Sequence, residues 1–277
     1  LSPMFAKLTK ETNATWKQAA EAIITTDTFP KGATATCKVD DVTITICGIA
    51  KGSGMIAPNM ATMLGYIATD INLPANVLSE CLNEACQLSF NSISVDGDTS
   101  TNDSVFLLAS ASADNIGIDR AEDPKLSDFR AKLRDVMQDL AIQIVRDGEG
   151  ASKLVTIDIA GADNELNARK IGLSIANSPL VKKAVFGEEP NWGRIVMAIG
   201  KVGLGIDPRD ISIKIGGYPV ASSGKRVAGY DEEIIAEHMA GKLINIKISV
   251  GEGSGTSTIW TCDLTHQYIS INADYRS

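Results

Sequence analysis

Gly48-Ile49-Ala50-Lys51-Gly52-Ser53-Gly54-Met55-Ile56-Ala57-Pro58-Asn59-Met60-Ala61-Thr62-Met63-Leu64 is the stretch from which the rest of the chain can be read. It begins where a β-rich run, Val42-Thr43-Ile44-Thr45-Ile46-Cys47, ends, and it returns to apolar sequence at Met63. Gly52 and Gly54 permit backbone shapes closed to other residues, and Pro58 fixes one φ angle ahead of Asn59. A loop of this make-up can hold a peptide bond in strained geometry. Just before the next strand stands Ala61-Thr62, a small residue followed by a hydroxyl nucleophile.

That order of residues suits self-cleavage. The Thr62 hydroxyl attacks the Ala61 carbonyl, the peptide becomes an ester, and water releases a new chain that starts at Thr62. The freed α-amine has a reference pKa of about 7.7–8.0, so part of it is neutral near pH 7. It then takes the proton from its own side-chain hydroxyl, the threonine–terminal-amine route to an activated nucleophile. The competing reading is that Thr62 only opens a strand, as β-branched residues commonly do.

The segment Lys51–Leu64 closely resembles the processing-site signature of the ornithine acetyltransferase / glutamate N-acetyltransferase family of arginine biosynthesis. Four further blocks carry the likeness along the chain. They are Thr25-Thr26-Asp27-Thr28-Phe29-Pro30-Lys31, Ser94–Asp103, Pro190-Asn191-Trp192-Gly193-Arg194-Ile195 and the end Asn272-Ala273-Asp274-Tyr275-Arg276-Ser277. The resemblance implies an α/β (α+β) sandwich with sheets layered between helices. It implies an enzyme cut at Ala61/Thr62, with 1–61 the end of an α chain and 62–277 a β chain that begins with its nucleophile. Family members usually carry a substantial segment upstream of this chain's first residue, Leu1, so this chain looks truncated. The resemblance places the oxyanion donors, a Thr-Gly pair, in that upstream segment.

The same resemblance assigns Thr25, Lys51, Thr62, Glu149, Asn272 and Ser277 to the substrate site, with Thr62 as nucleophile. Lys51 is otherwise a solvated loop lysine, and Glu149 exposed punctuation after a helix. In the site Lys51 would hold a substrate carboxylate as a point charge, and Glu149 would bind the substrate's amino group or assist proton transfer. The implied reaction moves an acetyl group from N-acetylornithine to Thr62 and from there to glutamate. It needs no cofactor, and leaves acetyl-CoA open as a second acyl donor. The family's α and β chains pair and dimerise, which implies a heterotetramer in the cytoplasm, or in an organelle matrix in a eukaryote. Two alternatives stand beside this reading: an N-terminal-threonine amidase or aminopeptidase that gives its acyl group to water, and a non-catalytic ligand-binding subunit.

Bulk properties set outer limits. The 277 residues can bury a core of about three quarters of the unfolded surface. A net charge of −8 and a pI near 4.9, without a Lys/Arg stripe, argue against nucleic acid. No run of about 18 apolar residues suggests a membrane span. Five cysteines without a CxxC pair read as reduced thiols, and two histidines without ligand-spaced partners make a zinc site improbable.

The remaining pattern is mixed. Residues 12–24 read as a helix capped by Thr12 or Asn13, and 35–39 and 42–47 as a hairpin about Asp40-Asp41. Met63–Thr69 reads as a strand, and Val77, Cys81 and Ala85 fall at helical spacing. Phe129, Leu133, Val136, Met137, Leu140 and Ile144 form one stripe of a long helix closed by Asp147-Gly148. Further on, Leu154–Ile159, Ile211–Ile215, Pro219–Ala221, Leu243–Val250, Thr256–Asp263 and Gln267–Asn272 read as strands. Glu165–Ala176 and Glu232–Met239 read as helices, and Ile195–Ile199 as an apolar run. Asp96-x-Asp98-x-Ser100-x-Asn102 has the spacing of a calcium loop but lacks its Gly and closing Glu. Its polar groups are expected to support the nucleophile instead, with Asn102 as the candidate.

Overall fold

Thr15 caps the first helix, α1 (Trp16–Ile23): its hydroxyl accepts from the Gln18 amide while the Gln18 side chain accepts from the Thr15 amide. Two donors that the first turn leaves unpaired are thereby satisfied. The computed structural model describes residues 15–57, 63–229 and 231–274, so Thr12 and Asn13 lie outside the described residues.

Strands β1 (Lys31–Val39) and β2 (Val42–Lys51) pair antiparallel from Lys31↔Ala50 to Val39↔Val42, longer than the hairpin expected from the alternation. Asp40 turns the corner at a φ of +51°, a conformation that Asp tolerates better than most residues. Strand β3 (Leu64–Thr69) pairs antiparallel with β2, and the innermost pair is Lys51↔Leu64. The glycine-rich loop is therefore the connection between two paired strands. Helix α2 (Ala75–Gln87) and the short β4 (Ile93–Ser94) come before β5 (Ser104–Ala109), which lies parallel to β3. The first sheet has the order β1-β2-β3-β5.

Helix α3 (Ser127–Arg146) covers this sheet. Phe129, Leu133, Val136, Met137, Leu140 and Ile144 are all buried, as the stripe required, against Val39, Ile44, Ile46, Ala50 and Ile67. Gly48 lets the helix come close, since a Cβ there would sit 2.8 Å from Leu140 Cδ1.

The second sheet runs β4-β11-β6-β10-β7-β8-β9. Its third strand in that order, β6 (Leu154–Ala162), pairs with β11 on one side and β10 on the other. After it come helices α4 (Glu165–Ala176), α5 (Pro179–Phe186) and α6 (Trp192–Gly200), then strands β7 (Ser212–Ile215), β8 (Tyr218–Ser222) and β9 (Lys225–Arg226). Helix α7 (Glu232–Ala240) leads to β10 (Leu243–Ser249), parallel to β6, and to β11 (Gly255–Cys262), antiparallel to it. Helix α8 (His266–Asp274) closes the described chain. Strand β4 is the graft between halves, with Trp260↔Ile93 and Thr261↔Ser94 in register. The apolar interior divides near Leu154: the first cluster holds α3 and the first sheet, and the second packs Ala168, Ile171 and Ile175 against Ile157, Ile159 and Ile259.

The apolar run 195–199 lies inside helix α6, started by Asn191, whose side chain accepts from the Arg194 amide. One secondary-structure expectation needs correction. Gln267–Asn272 is not a strand but part of α8. Thr265 Oγ1 accepts from the Gln267 and Tyr268 amides and bonds to the Gly150 carbonyl at 2.6 Å, so a local cap overrides the β-branched alternation. Both sheets and their covering helices otherwise match the expected α/β architecture.

Truncating Leu140, fully buried at the closest sheet–helix approach, should lower stability. Leu140→Ala is expected to cost about 2–5 kcal/mol, read as a lower urea midpoint at unchanged slope.

Candidate active site

Lys31 opens β1 with its ammonium entirely buried, which is permissible only if it is paired. Its Nζ lies 2.5 Å from Asp27 Oδ1 and 2.6 Å from Asp147 Oδ2, with both carboxylates out of solvent. Each carboxylate then reaches a different segment. Asp27 accepts from the Gly52 amide at 2.7 Å and the Thr25 amide at 3.3 Å. Burial pushes its carboxyl up, but the Gly52 amide, Lys31 and the Thr25 amide outweigh burial and hold it below its usual value. Asp147 accepts from the Thr28 amide and hydroxyl, and its backbone carbonyl takes the Ser53 hydroxyl at 2.6 Å. One ammonium thus ties together the 25–28 turn, the start of the glycine-rich loop and the end of α3.

The glycine-rich loop lies against the residues after α3. The Glu149 amide donates to the Ser53 carbonyl at 2.9 Å, and a Cβ on Gly54 would stand 2.4 Å from the Glu149 carboxyl carbon. Only glycine leaves room for that carboxylate. Glu149 Oε2 in turn accepts from Asn272 Nδ2 at 3.0 Å, bringing α8 to the same place. The tail's Asn272 therefore enters the site from a helix, not from a strand.

The acidic segment 96–103 meets both ends of the loop. Asp96 accepts from the Met55 amide at 2.7 Å and the Ile56 amide at 3.1 Å. Burial raises its pKa, against the pull of the Asp98, Met55 and Ile56 amides. Burial first, then the charges of Asp96, Asp98 and Glu149, push the phenol of Tyr268 in α8 up to about 12. At the other end Asp103 Oδ1 accepts from the Met63 amide at 2.6 Å. Burial raises Asp103 to about 6, while the Met63 amide and the charge of Lys51 pull it back.

Among the described residues, four of the expected site residues meet in two pairs. Lys51 Nζ reaches Thr25 Oγ1 at 3.4 Å, and Glu149 meets Asn272. Ala61, Thr62 and Ser277 lie outside the described residues. Asn102 is exposed, and its amide donates to Ser100 Oγ at 3.4 Å; the side chain that grips the chain next to position 62 is its neighbour Asp103. From sequence, Asp27, Lys31, Asp96 and Asp147 entered only as members of longer motifs, and Tyr268 only within an expected strand. A lysine opening a strand four residues after an aspartate carried a trace of the triad, but nothing local pointed to Asp147. Arg194, expected as structural support, donates to the Leu180 carbonyl at 3.1 Å, and Trp192 packs against the second apolar cluster.

A large open cavity of about 750 Å³ lies elsewhere, lined by Gln87, Arg134, Gln138, Arg169 and Trp260. Its Arg169 is already engaged with the Gln87 and Asn91 carbonyls and Ser92 Oγ. No group of three or more His, Cys, Asp or Glu among the described residues is placed to hold a metal ion, and no helix among them is long and apolar enough to cross a membrane.

The ArgJ family model matches residues 1–277. The chain is 52% identical over 262 residues to the arginine biosynthesis bifunctional protein ArgJ of Gluconobacter oxydans, covering 95% of this chain and 62% of that protein. Against the protein of the same name from Agrobacterium fabrum it is 49% identical over 265 residues, covering 95% and 64%. This chain thus spans under two thirds of the length of these relatives. A crystal structure of arginine biosynthesis bifunctional protein argJ from Bacillus halodurans superposes with a TM-score of 0.71 at 38% identity, over 74% of this chain and 96% of that one.

Two measurements check the electrostatics. Lys31→Met leaves two facing carboxylates without a cation and should cost about 3–5 kcal/mol at pH 7, a deficit that shrinks in acid as they protonate; denaturant melts at pH 7 and below pH 4 read this. Asp103 is raised in the fold relative to about 3.9 unfolded, so its stabilising contribution is complete below about pH 4 and is lost as pH rises through 6. The stability of wild type relative to Asp103→Asn should accordingly fall between pH 4 and pH 6.

Proposed function

The chain belongs to the ArgJ family, and from that premise we propose that it is an acetyltransferase of arginine biosynthesis whose nucleophile, Thr62, is released by cutting its own chain after Ala61. The observation that carries this reading is convergence. Segments 25–28, 51–56, 96–103, 147–149 and 268–272, remote in sequence, meet around the two ends of the stretch that bears Ala61 and Thr62.

In the first stage Thr62 Oγ attacks the Ala61 carbonyl, the C–N bond breaks, and the resulting ester is hydrolysed to the Ala61 carboxylate and a free Thr62 amine. In the second, the same hydroxyl, relieved of its proton by that amine, attacks the acetyl carbon of N-acetylornithine; the amide nitrogen takes a proton and ornithine leaves. The amine of glutamate then attacks the acetyl ester and restores the hydroxyl. Lys51 offers an ammonium for a substrate carboxylate, with Thr25 at its side. Glu149 offers a carboxylate for a substrate ammonium or for proton transfer, and Asn272 orients it. Acetyl-CoA serves as a second donor in this reading, consistent with relatives named bifunctional. The reaction itself calls for no metal or prosthetic group, because the ester carries the acyl group.

Strands β2 and β3, pairing from Ile46↔Thr69 to Lys51↔Leu64, lie on opposite sides of the cut and would hold the two pieces together. We read 1–61 and 62–277 accordingly as α and β chains of one folded unit that assembles as a heterotetramer and works in the cytoplasm.

Intact-mass spectrometry of the natural gene product should give two pieces divided at Ala61/Thr62, and one piece for Thr62→Ala. Labelled N-acetylornithine should then transfer its acetyl group to glutamate through a Thr62 adduct. Release of acetate regardless of glutamate would instead identify a hydrolase, and an undivided wild type without adduct a binding subunit.

A further inference from the structure

The acidic segment with false calcium-loop spacing has a different use. We propose that Asp96 and Asp103 are positioning residues for self-cleavage, a pair of carboxylates that grip backbone amides on either flank of the scissile bond; the inference rests on the cleavage reading above. The two belong to one short segment, and among the described residues neither forms an ion pair. On the upstream flank Asp96 binds two consecutive amides, Met55 through Oδ2 at 2.7 Å and Ile56 through Oδ1 at 3.1 Å. Met55 is held at a φ of +55°, in the left-handed region that a residue with a side chain adopts only at a cost. The Ile56 carbonyl is taken on its other side by the Val95 amide at 2.7 Å and Ser94 Oγ at 3.3 Å. Ile56 is thus held at both its amide and its carbonyl.

On the downstream flank Asp103 Oδ1 takes the Met63 amide at 2.6 Å, at the residue directly after the nucleophile, and the Ser104 amide donates to the Met63 carbonyl at 3.1 Å. Met63 is thus held at both its amide and its carbonyl by two consecutive residues. Because β4 and β5 bracket segment 96–103, its two carboxylates stand at a separation set by both sheets. Holding the chain at Met55 and Ile56 on one side and at Met63 on the other limits how far the two ends of the intervening stretch can move, and positioning of this kind is a way to lower a barrier.

The test is a time course of precursor and product by intact mass on the natural gene product, with melting temperatures measured in parallel. Asp103→Ala should slow division at least tenfold, and Asp103→Asn, which keeps the one acceptor oxygen in use, should restore the rate to within a few fold. Asp96 uses both oxygens, so Asp96→Asn should recover only part of what Asp96→Ala loses. Amide exchange at Met63 should speed up in Asp103→Ala and not in Asp103→Asn. Wild type that divides while both alanine variants keep pace overturns the clamp and leaves the cleavage reading intact. The clamp is equally overturned if Asp103→Asn is as slow as Asp103→Ala, or if the slowing follows a lowered melting temperature. An undivided wild type overturns the cleavage reading and the clamp with it.

Discussion

A single buried ammonium, that of Lys31, decides where three separate parts of the chain lie. Taking a charge out of water is repaid only when opposite charges stand within hydrogen-bond reach. Asp27 and Asp147 meet that condition, and each is bound to the segment it comes from and to another besides. Buried ion networks of this kind add little net stability over apolar packing, so their effect is best seen as geometric. Here the geometry places Thr25 beside Lys51 and brings Glu149 under the glycine-rich loop.

The scaffold that holds this network is the first sheet and the helix across it. Gly48 admits Leu140 against the sheet, and the stripe from Phe129 to Ile144 seals the face. Because α3 ends at Arg146, its seal also fixes the depth at which Asp147 and Glu149 emerge. The second sheet contributes differently: through β4 it sets the start of the acidic segment, and through Thr265 it sets the start of α8. Each half thus delivers some of the groups around the loop, and the meeting point lies where the halves are joined.

Much of this was legible in local pattern. The helical stripe, the hairpin about Asp40-Asp41, the strand after Thr62 and the processing-site blocks follow from periodicity, turn chemistry and resemblance. Gln267–Asn272 misled because its alternation of Tyr, Ile and Ile is equally compatible with a strand, and the deciding hydroxyl, Thr265, acts through a carbonyl 115 residues away. Alternation within a loop does not say which neighbour faces the backbone, and beside Asn102 it is Asp103 whose carboxylate takes the Met63 amide.

The sequence by itself determined the family, the bond proposed to be cut and the residue types available for chemistry, because short-range order and motif spacing are written in consecutive residues. It also set the two hydrophobic patterns that need sheets and helices to cover each other. Only the tertiary structure decided which carboxylates pair with Lys31, which ones hold the flanks of the loop and that the tail arrives as a helix. Apart from Asp27, four residues before Lys31, those outcomes depend on partners 40 to 116 residues apart, where burial and hydrogen-bond geometry, not proximity along the chain, select the contact.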